Sequence, residues 1–292
     1  MHFVDAKGIL SAENRMNIYR GCLHGCIYCD ARSDCYQLKH PFEDIEVKRN
    51  APALLEAALR KKRKKCMIST GSMSDPYIPI EQELGMTRQC LEIIERYGFG
   101  LSIQTKSDRI LRDLDLLSRI HRNAKCVVQM TLTTYDERLC RILEPNVCTT
   151  GARFEVLKRL KEAGIPTVVW ISPLLPWIND TEENLRGILD YCVKAGVWGV
   201  LFFDAQLTLR KGDREYFYAK LDTYFPGLRE RYIRTYGDRY ELYSERAKLL
   251  HGVLDRTCAA HNICCNAEQV FAFAGTLPEK AVQLSLLEES EL

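Results

Sequence analysis

No apolar run in this sequence approaches the ~18 to 20 residues that a helix needs to span a bilayer, so a helical membrane protein is excluded. The opening residues MHFVDAKGIL hold no apolar stretch adequate for secretion, and the expectation is a cytoplasmic protein with no membrane partner. Net charge is scarce as well: 41 Lys and Arg against 39 Asp and Glu leave +2. Any contact with nucleic acid must therefore be local, because the chain as a whole sets up no attractive field. What is present is a globular composition, 46% hydrophobic and 27% charged over 292 residues, enough for one large barrel-type domain or two ordinary ones. Cysteine is plentiful at thirteen. In a reducing compartment these thiols serve as small core residues or metal ligands.

Three of them, Cys22, Cys26 and Cys29, fall within RMNIYRGCLHGCIYCDAR, residues 15–32. The C-x3-C-x2-C spacing lets three thiolates converge inside one short loop. Soft ligands so close together favour an iron-sulfur cluster or zinc. A structural zinc wants a closed set of four donors, for which Cys35 is available; three donors instead leave one iron of a four-iron cluster open to chemistry.

Beyond the loop, Asn50 and Pro52 mark a helix start, with Leu54, Leu55, Ala58 and Leu59 on one face. It runs out in RKKRKK at 60–65, a solvated cationic helix end or a phosphate-binding patch. A regular alternation follows. CMIST (66–70), LSIQT (101–105), CVVQMTLT (126–133), TVVWIS (167–172) and WGVLFF (198–203) read as buried parallel strands. Helical segments are expected at 84–96, 109–120, 151–163 and 180–194, the last with Asp180 as cap and Leu185, Ile188, Leu189, Cys192 and Val193 on one face. With a first strand at 16–19 this makes six β/α units, either an incomplete barrel or an open doubly wound sheet. Polar residues gather where the strands end: Gly71, Ser72 and Asp75, then Lys106, then Thr131 and Thr133, then Ser172, then Asp204. Barrel enzymes keep their chemistry at that end, so the pattern predicts a ligand-lined mouth.

With Tyr28 before the last cysteine, the loop resembles the signature of the radical S-adenosylmethionine (SAM) enzymes. Asn17, Tyr19, Arg20 and Gly21 ahead of Cys22 are similar to the subgroup around spore photoproduct lyase. The similarity runs through SDPYIPIE (74–81), TKSDRILRDLDLL (105–117) and TLTTYDERLCRILEP (131–145) to about residue 203, roughly two-thirds of the chain. The resemblance implies an α/β fold, an incomplete (β/α)6 TIM-like barrel with a C-terminal helical extension. It implies a [4Fe-4S] cluster on Cys22, Cys26 and Cys29, and S-adenosyl-L-methionine bound to its open iron. It directs Tyr28 to the adenine, Gly71 and Ser72 to the methionine amine, Lys106 to the carboxylate, Thr131 to the cofactor and the Ser172 backbone to the adenine. Read without the resemblance, Lys106 is a solvated lysine and Thr131 an ordinary strand threonine. The implied reaction is reductive cleavage of SAM and hydrogen abstraction from a substrate, with nucleic acid as one option and flavodoxin or ferredoxin as electron donor. No catalytic residue is assigned.

Two departures set the chain apart from the lyase itself. Asp30 follows the third cysteine where the lyase has tyrosine, and Ser72 stands where the lyase has its hydrogen-donating cysteine. A serine O–H is too strong to return a hydrogen atom as a thiol does. Cys140, Cys148, Cys264 and Cys265 are thiol candidates, or buried structural cysteines.

The domain expectation is a barrel over 1–210 with its cluster loop at 20–32, a helical cap over 211–275 packed on it, and a mobile tail over 276–292. Helices are expected at 213–224 and 238–261. The cap's Arg214, Arg229, Arg231, Arg234 and Arg239, among its tyrosines, suit base stacking and phosphate contact as well as an ordinary helical cover. In the tail, Gln283, Leu284, Ser285, Leu286 and Leu287 resemble the peptide by which bacterial repair and replication proteins dock on the sliding clamp, with Leu287 in place of phenylalanine. The alternative function is thus a non-catalytic iron-sulfur or zinc protein that docks a partner through its tail. A peptide of residues 280–292 should bind the clamp with roughly micromolar affinity, since its ordering opposes binding. Alanine at Leu286 and Leu287 should abolish this and Leu287→Phe should strengthen it. Fluorescence anisotropy showing no saturable binding at high-micromolar clamp would refute the motif.

Overall fold

The computed structural model describes residues 1–278, so the clamp-like residues Gln283 to Leu287 and most of the expected tail lie outside the described residues. The β-branched runs form six parallel strands: β1 (Arg15–Met16), β2 (Met67–Thr70), β3 (Gly100–Thr105), β4 (Cys126–Thr131), β5 (Thr167–Trp170) and β6 (Gly199–Leu201), hydrogen-bonded in that order. A doubly wound sheet reverses its order at a switch point. This sheet never reverses, so the right-handed crossovers all wind the same way and stack their helices on one face. The fold is the incomplete (β/α)6 TIM-like barrel. Among the described residues no helix is long and apolar enough to cross a membrane.

Successive side chains on a strand point to opposite faces. Leu101, Ile103, Val128, Met130, Val169 and Val200 face outward into the main core with the helices. Val127, Val168 and Leu201 face inward and form a second apolar layer with Met67, closed from below by Val270 and Ala274 of the helix Ala267–Gly275. Higher in the barrel, Trp170 Nε1 donates to Gln129 Oε1 at 2.7 Å and Gln129 Nε2 donates to Ser102 Oγ at 2.8 Å, a polar rung across three strands. Counting on by two along each strand brings the same inward face to Lys106, Thr131 and Ser172.

The segment 211–275 is distributed over three places. Asp213–Tyr224 and Leu228–Tyr236 put Phe217, Leu221, Tyr232 and Tyr236 around Cys26, Ile27 and Tyr28. Ala247–His261 supplies the sixth barrel helix and packs on Glu182–Ala195. Ala267–Gly275 closes the barrel floor.

Several local expectations are corrected. The first strand does not run through 16–19: Arg15–Met16 pairs with β2, while Tyr19–Arg20 turns away to pair with Glu46–Lys48. The expected helix 84–96 breaks at Gly85, whose φ of +60° no helix interior accommodates. The segment 109–120 begins as a 3-10 turn, Asp108–Asp113. Residues 238–261 are not one helix, because Glu241–Tyr243 forms an antiparallel pair with Gln206–Thr208. Asp180 is not the cap of its helix. Its carboxylate is buried and accepts from Ser244 Oγ at 2.5 Å, and Thr181 Oγ1 accepts from Asn184 N instead at 3.1 Å. Thr181→Ala should therefore lower the unfolding free energy by about 0.5–2 kcal/mol. An unchanged urea midpoint would refute the cap.

Candidate functional site

The cysteine loop leaves the small sheet at Gly21, whose φ is +85° and whose Cβ, were there one, would lie 2.3 Å from the Phe42 carbonyl oxygen. Only glycine can make that turn. The loop is then pinned from several sides. Ser74 Oγ donates to Gly21 O at 2.5 Å, Ile27 N to Leu143 O at 3.0 Å and Asn146 N to His24 O at 3.0 Å. Cys22, Cys26 and Cys29 are held as free thiols facing one cavity of about 390 Å³. Tyr28, Gly71, Ser72, Lys106, Thr131 and Ser172 line the same cavity, as does Asp75, whereas Thr133 and Asp204, also expected at the strand-end mouth, do not.

The donor set fits a cluster better than a single zinc. Zinc-sulfur bonds of ~2.3 Å in a tetrahedron put neighbouring sulfurs about 3.8 Å apart. Among the described residues, the trio of potential ligand atoms lying within 4.8 Å of one another is that of His2, His40 and Asp44, and the three cysteines form no such set. At least one pair of their sulfurs thus stands more than 4.8 Å apart, farther than a single zinc ion holds its ligands. Cys35, the fourth ligand of a zinc loop, is exposed and lies 3.1 Å from Arg210 Nη1, outside the lining of the cavity. Burial pushes the Cys22 thiol up to about 12, with Asp75 and Cys29 adding repulsion, and burial raises Cys26 and Cys29 too. Burial alone would leave them neutral thiols, and they would bind as thiolates only beside a cation.

Beneath the cavity, two residues that sequence reasoning missed tie its walls together. Arg153 and Glu144 are completely buried, with Arg153 Nη2 2.5 Å from Glu144 Oε2. Glu144 Oε1 accepts from the Tyr28 hydroxyl. Arg153 donates to Thr131 O at 3.0 Å and Cys148 O at 2.7 Å, and Cys148 Sγ donates to Lys106 O at 3.1 Å. The pair thus touches the loop and the ends of β3 and β4 at once. Burial alone would lower Lys106, but Cys26, once a thiolate, and Glu144 more than offset it, so the ammonium stays charged. Its Nζ stands 5.8 Å from the centre of the Tyr28 ring. Burial would likewise raise Glu144, yet Arg153 and Lys106 hold it below the usual carboxylate range. One signal could have found Arg153: it lies on the same helix face as Val156, Leu157 and Leu160, at i, i+3, i+4 and i+7.

Asp75 is a second organiser. Its Oδ1 accepts from Tyr77 N and Thr105 Oγ1, both at 2.8 Å, and its Oδ2 accepts from Lys106 N at 2.8 Å. Gly71 has φ +101°, and a Cβ there would lie 1.9 Å from Gln104 O. The chain therefore crosses the adjacent strand in close contact and presents backbone to the cavity. Tyr36 from the cysteine-loop side and Gln206, Leu207 and Thr208 from the short strand after β6 complete the wall. Of the other thiol candidates, Cys140 is buried beside Glu144 and Thr150, and neither it nor Cys148 lines the cavity.

The Radical SAM superfamily model matches residues 16–192. An uncharacterised protein of Mycobacterium tuberculosis (strain ATCC 25618 / H37Rv) is 31% identical over 227 residues, which cover 76% of this chain and 66% of that protein. An uncharacterised protein of Methanocaldococcus jannaschii is 35% identical over 181 residues, 61% of this chain and 67% of that protein. Among solved structures, a spore photoproduct lyase mutant with bound AdoMet and dinucleoside spore photoproduct shares the fold, with a TM-score of 0.60 at 16% identity over 84% of this chain and 72% of that chain. The family match takes in more than half of this chain, including the cysteine loop and β2 to β5, and the chain belongs to the radical SAM superfamily, enzymes that use a [4Fe-4S] cluster and S-adenosylmethionine.

Proposed function

We propose that Cys22, Cys26 and Cys29 hold the [4Fe-4S] cluster, that S-adenosylmethionine lies in the adjoining cavity, and that the enzyme abstracts hydrogen from a substrate held against the same cavity. The observation that carries this reading is the convergence of three widely set thiols and a buried, charged lysine on one strand-end cavity. When bound, the two groups supply one-electron reductive cleavage of the sulfonium.

The chain's own residues then have distinct tasks. Lys106 faces the methionine carboxylate as a point charge. The Gly71 carbonyl and the Ser72 hydroxyl accept from the amine, because no side chain fits at Gly71. Thr131 directs a short hydroxyl at the cofactor, and Tyr28 and the Ser172 backbone flank the adenine. Glu144 and Arg153 keep Tyr28 and the β4 end in place. Trp170, Phe203 and Leu207 line the cavity with apolar surface that limits water around a reactive radical. An external one-electron donor such as flavodoxin or ferredoxin completes the system. Nucleic acid is the substrate class taken forward from the resemblance to the lyase-like subgroup, and the clamp-like tail peptide would bring the enzyme to DNA. A purely structural metal loop would have no use for a lined cavity with a buried cation.

Anaerobic reconstitution with iron, sulfide and S-adenosylmethionine should yield 5'-deoxyadenosine under reduction; none formed by a fully loaded protein would overturn the reading. Iron and sulfide should be lost in a Cys22, Cys26, Cys29 triple alanine and retained in Cys35→Ala. Equal loss in Cys35→Ala would point back to a four-cysteine site. Lys106→Ala should leave iron content unchanged and weaken SAM binding about ten- to a hundredfold, the effect of removing one charge-assisted contact of roughly 1.5–3 kcal/mol. Unchanged affinity by calorimetry would show that Lys106 serves something else.

A further inference from the structure

Beside the main cavity lies a second chamber of about 350 Å³, and the two share Ala31, Tyr36 and Met73 in their walls. Its polar wall follows from strand pairing. Tyr19–Arg20 pairs antiparallel with Glu46–Lys48 so that Arg20 stands opposite Glu46, and Lys48 is two residues along on the same side. Tyr19 and Val47, of opposite parity, are buried in the core. The alternation therefore turns both cations into the chamber.

Neither cation makes a contact ion pair there. Arg20 Nη2 donates to Tyr36 O at 2.9 Å and Lys48 Nζ to Asn17 O at 2.8 Å, so each is held by a carbonyl. Among the described residues, neither has a carboxylate oxygen within 4.0 Å. Glu46, the acid nearest in register, shares this wall, and its Oε2 stands 3.6 Å from His40 Nε2. Burial lowers the Lys48 pKa, Glu46 partly offsets it, and Arg20 adds a smaller repulsion. Asn17 Oδ1, also in the wall, is buried without a hydrogen-bond partner. Two half-buried cations and an unused acceptor ask for a ligand that carries both an oxyanion and a hydrogen-bond donor. Arginine's fork and lysine's point charge together match a phosphate ester.

We propose that this second chamber holds a phosphate group of the substrate, with Arg20 and Lys48 as its cationic partners, while the reacting carbon lies in the main cavity. The assignment rests on the reading of the main cavity as the reaction site. It turns the open substrate question into a chemical class: a phosphate ester, either free or within a nucleic-acid backbone.

The test uses the full chain, titrated calorimetrically with inorganic phosphate and with a single strand of ten thymidines. Saturable phosphate binding is expected, reduced about tenfold or more in both Arg20→Gln and Lys48→Gln and retained in Lys48→Arg. Arg49→Gln, which removes an exposed neighbouring cation paired with Asp5, should bind like wild type. If phosphate displaces the strand, the phosphate belongs to a nucleic acid; if phosphate binds and the strand does not, it belongs to a small ester. No phosphate binding by wild type would overturn the inference, as would Lys48→Arg binding as weakly as Lys48→Gln. Equal losses in Arg49→Gln and Lys48→Gln would reduce it to diffuse surface attraction and overturn it too. Reductive cleavage of S-adenosylmethionine by wild type is measured in parallel. Cleavage without phosphate binding sinks this inference alone, whereas phosphate binding without cleavage sinks the reading of the main cavity.

Discussion

Two charges removed from water beneath the cavity hold the site together. A buried ion pair gains little net stability, because desolvation of both partners offsets their attraction unless hydrogen bonds use up the remaining donors and acceptors. Arg153 and Glu144 come close to that condition: the guanidinium reaches Glu144, Thr131 O and Cys148 O, and the carboxylate also takes the Tyr28 hydroxyl. The pair therefore acts less as a source of stability than as a fixed joint. It couples the cysteine loop, which has almost no regular structure of its own, to strand ends that the barrel makes rigid. Leaving one partner unpaired would cost about 3–5 kcal/mol, a large share of any domain's stability.

The barrel interior is layered by the same period-two alternation that builds it. Apolar side chains at the floor meet the helix Ala267–Gly275, a hydrogen-bonded rung of Ser102, Gln129 and Trp170 lies above, and Lys106, Thr131 and Ser172 form the mouth. Because the partial barrel has no eighth-strand closure of the TIM type, its floor and its mouth both need covers from elsewhere. The floor takes a C-terminal helix. The mouth takes the cysteine loop on one side and the antiparallel pair of Gln206–Thr208 with Glu241–Tyr243 on the other. An open side also leaves room for a substrate larger than the cofactor, and the chamber bearing Arg20 and Lys48 adjoins the cavity beside the cysteine loop.

Much of the fold could be read without coordinates. Five apolar runs, each followed by a helical segment, give the six-unit count once the first strand is added, and only the strand order separates a barrel from a doubly wound sheet. The errors were local. Asp180 looked like a cap because its sequence neighbours fit a capping box, yet a partner 64 residues away, Ser244, holds its carboxylate. Gly85 lies inside the expected helix 84–96, yet its positive φ ends one helix and starts the next at Met86. The run 238–261 has helical spacing in its second half and takes a strand in its first because Gln206–Thr208 offers an edge to pair with.

The sequence by itself determined what depends on spacing along the chain: the three-thiol loop, the alternation of strands and helices, and the polar residues set just beyond each strand. These are short-range properties, and their physics is local. Only the tertiary structure decided what depends on distant segments meeting. It kept the three sulfurs from gathering within 4.8 Å of one another, which argues for a body larger than one zinc ion. It buried Arg153 against Glu144 where a helix wheel showed merely an arginine among leucines and valines. It left Arg20 and Lys48, 28 positions apart, side by side in one wall with no carboxylate among the described residues in direct contact with either. Desolvation is the physical reason: the consequence of a charge depends on what excludes water around it, and that is fixed when the chain has folded.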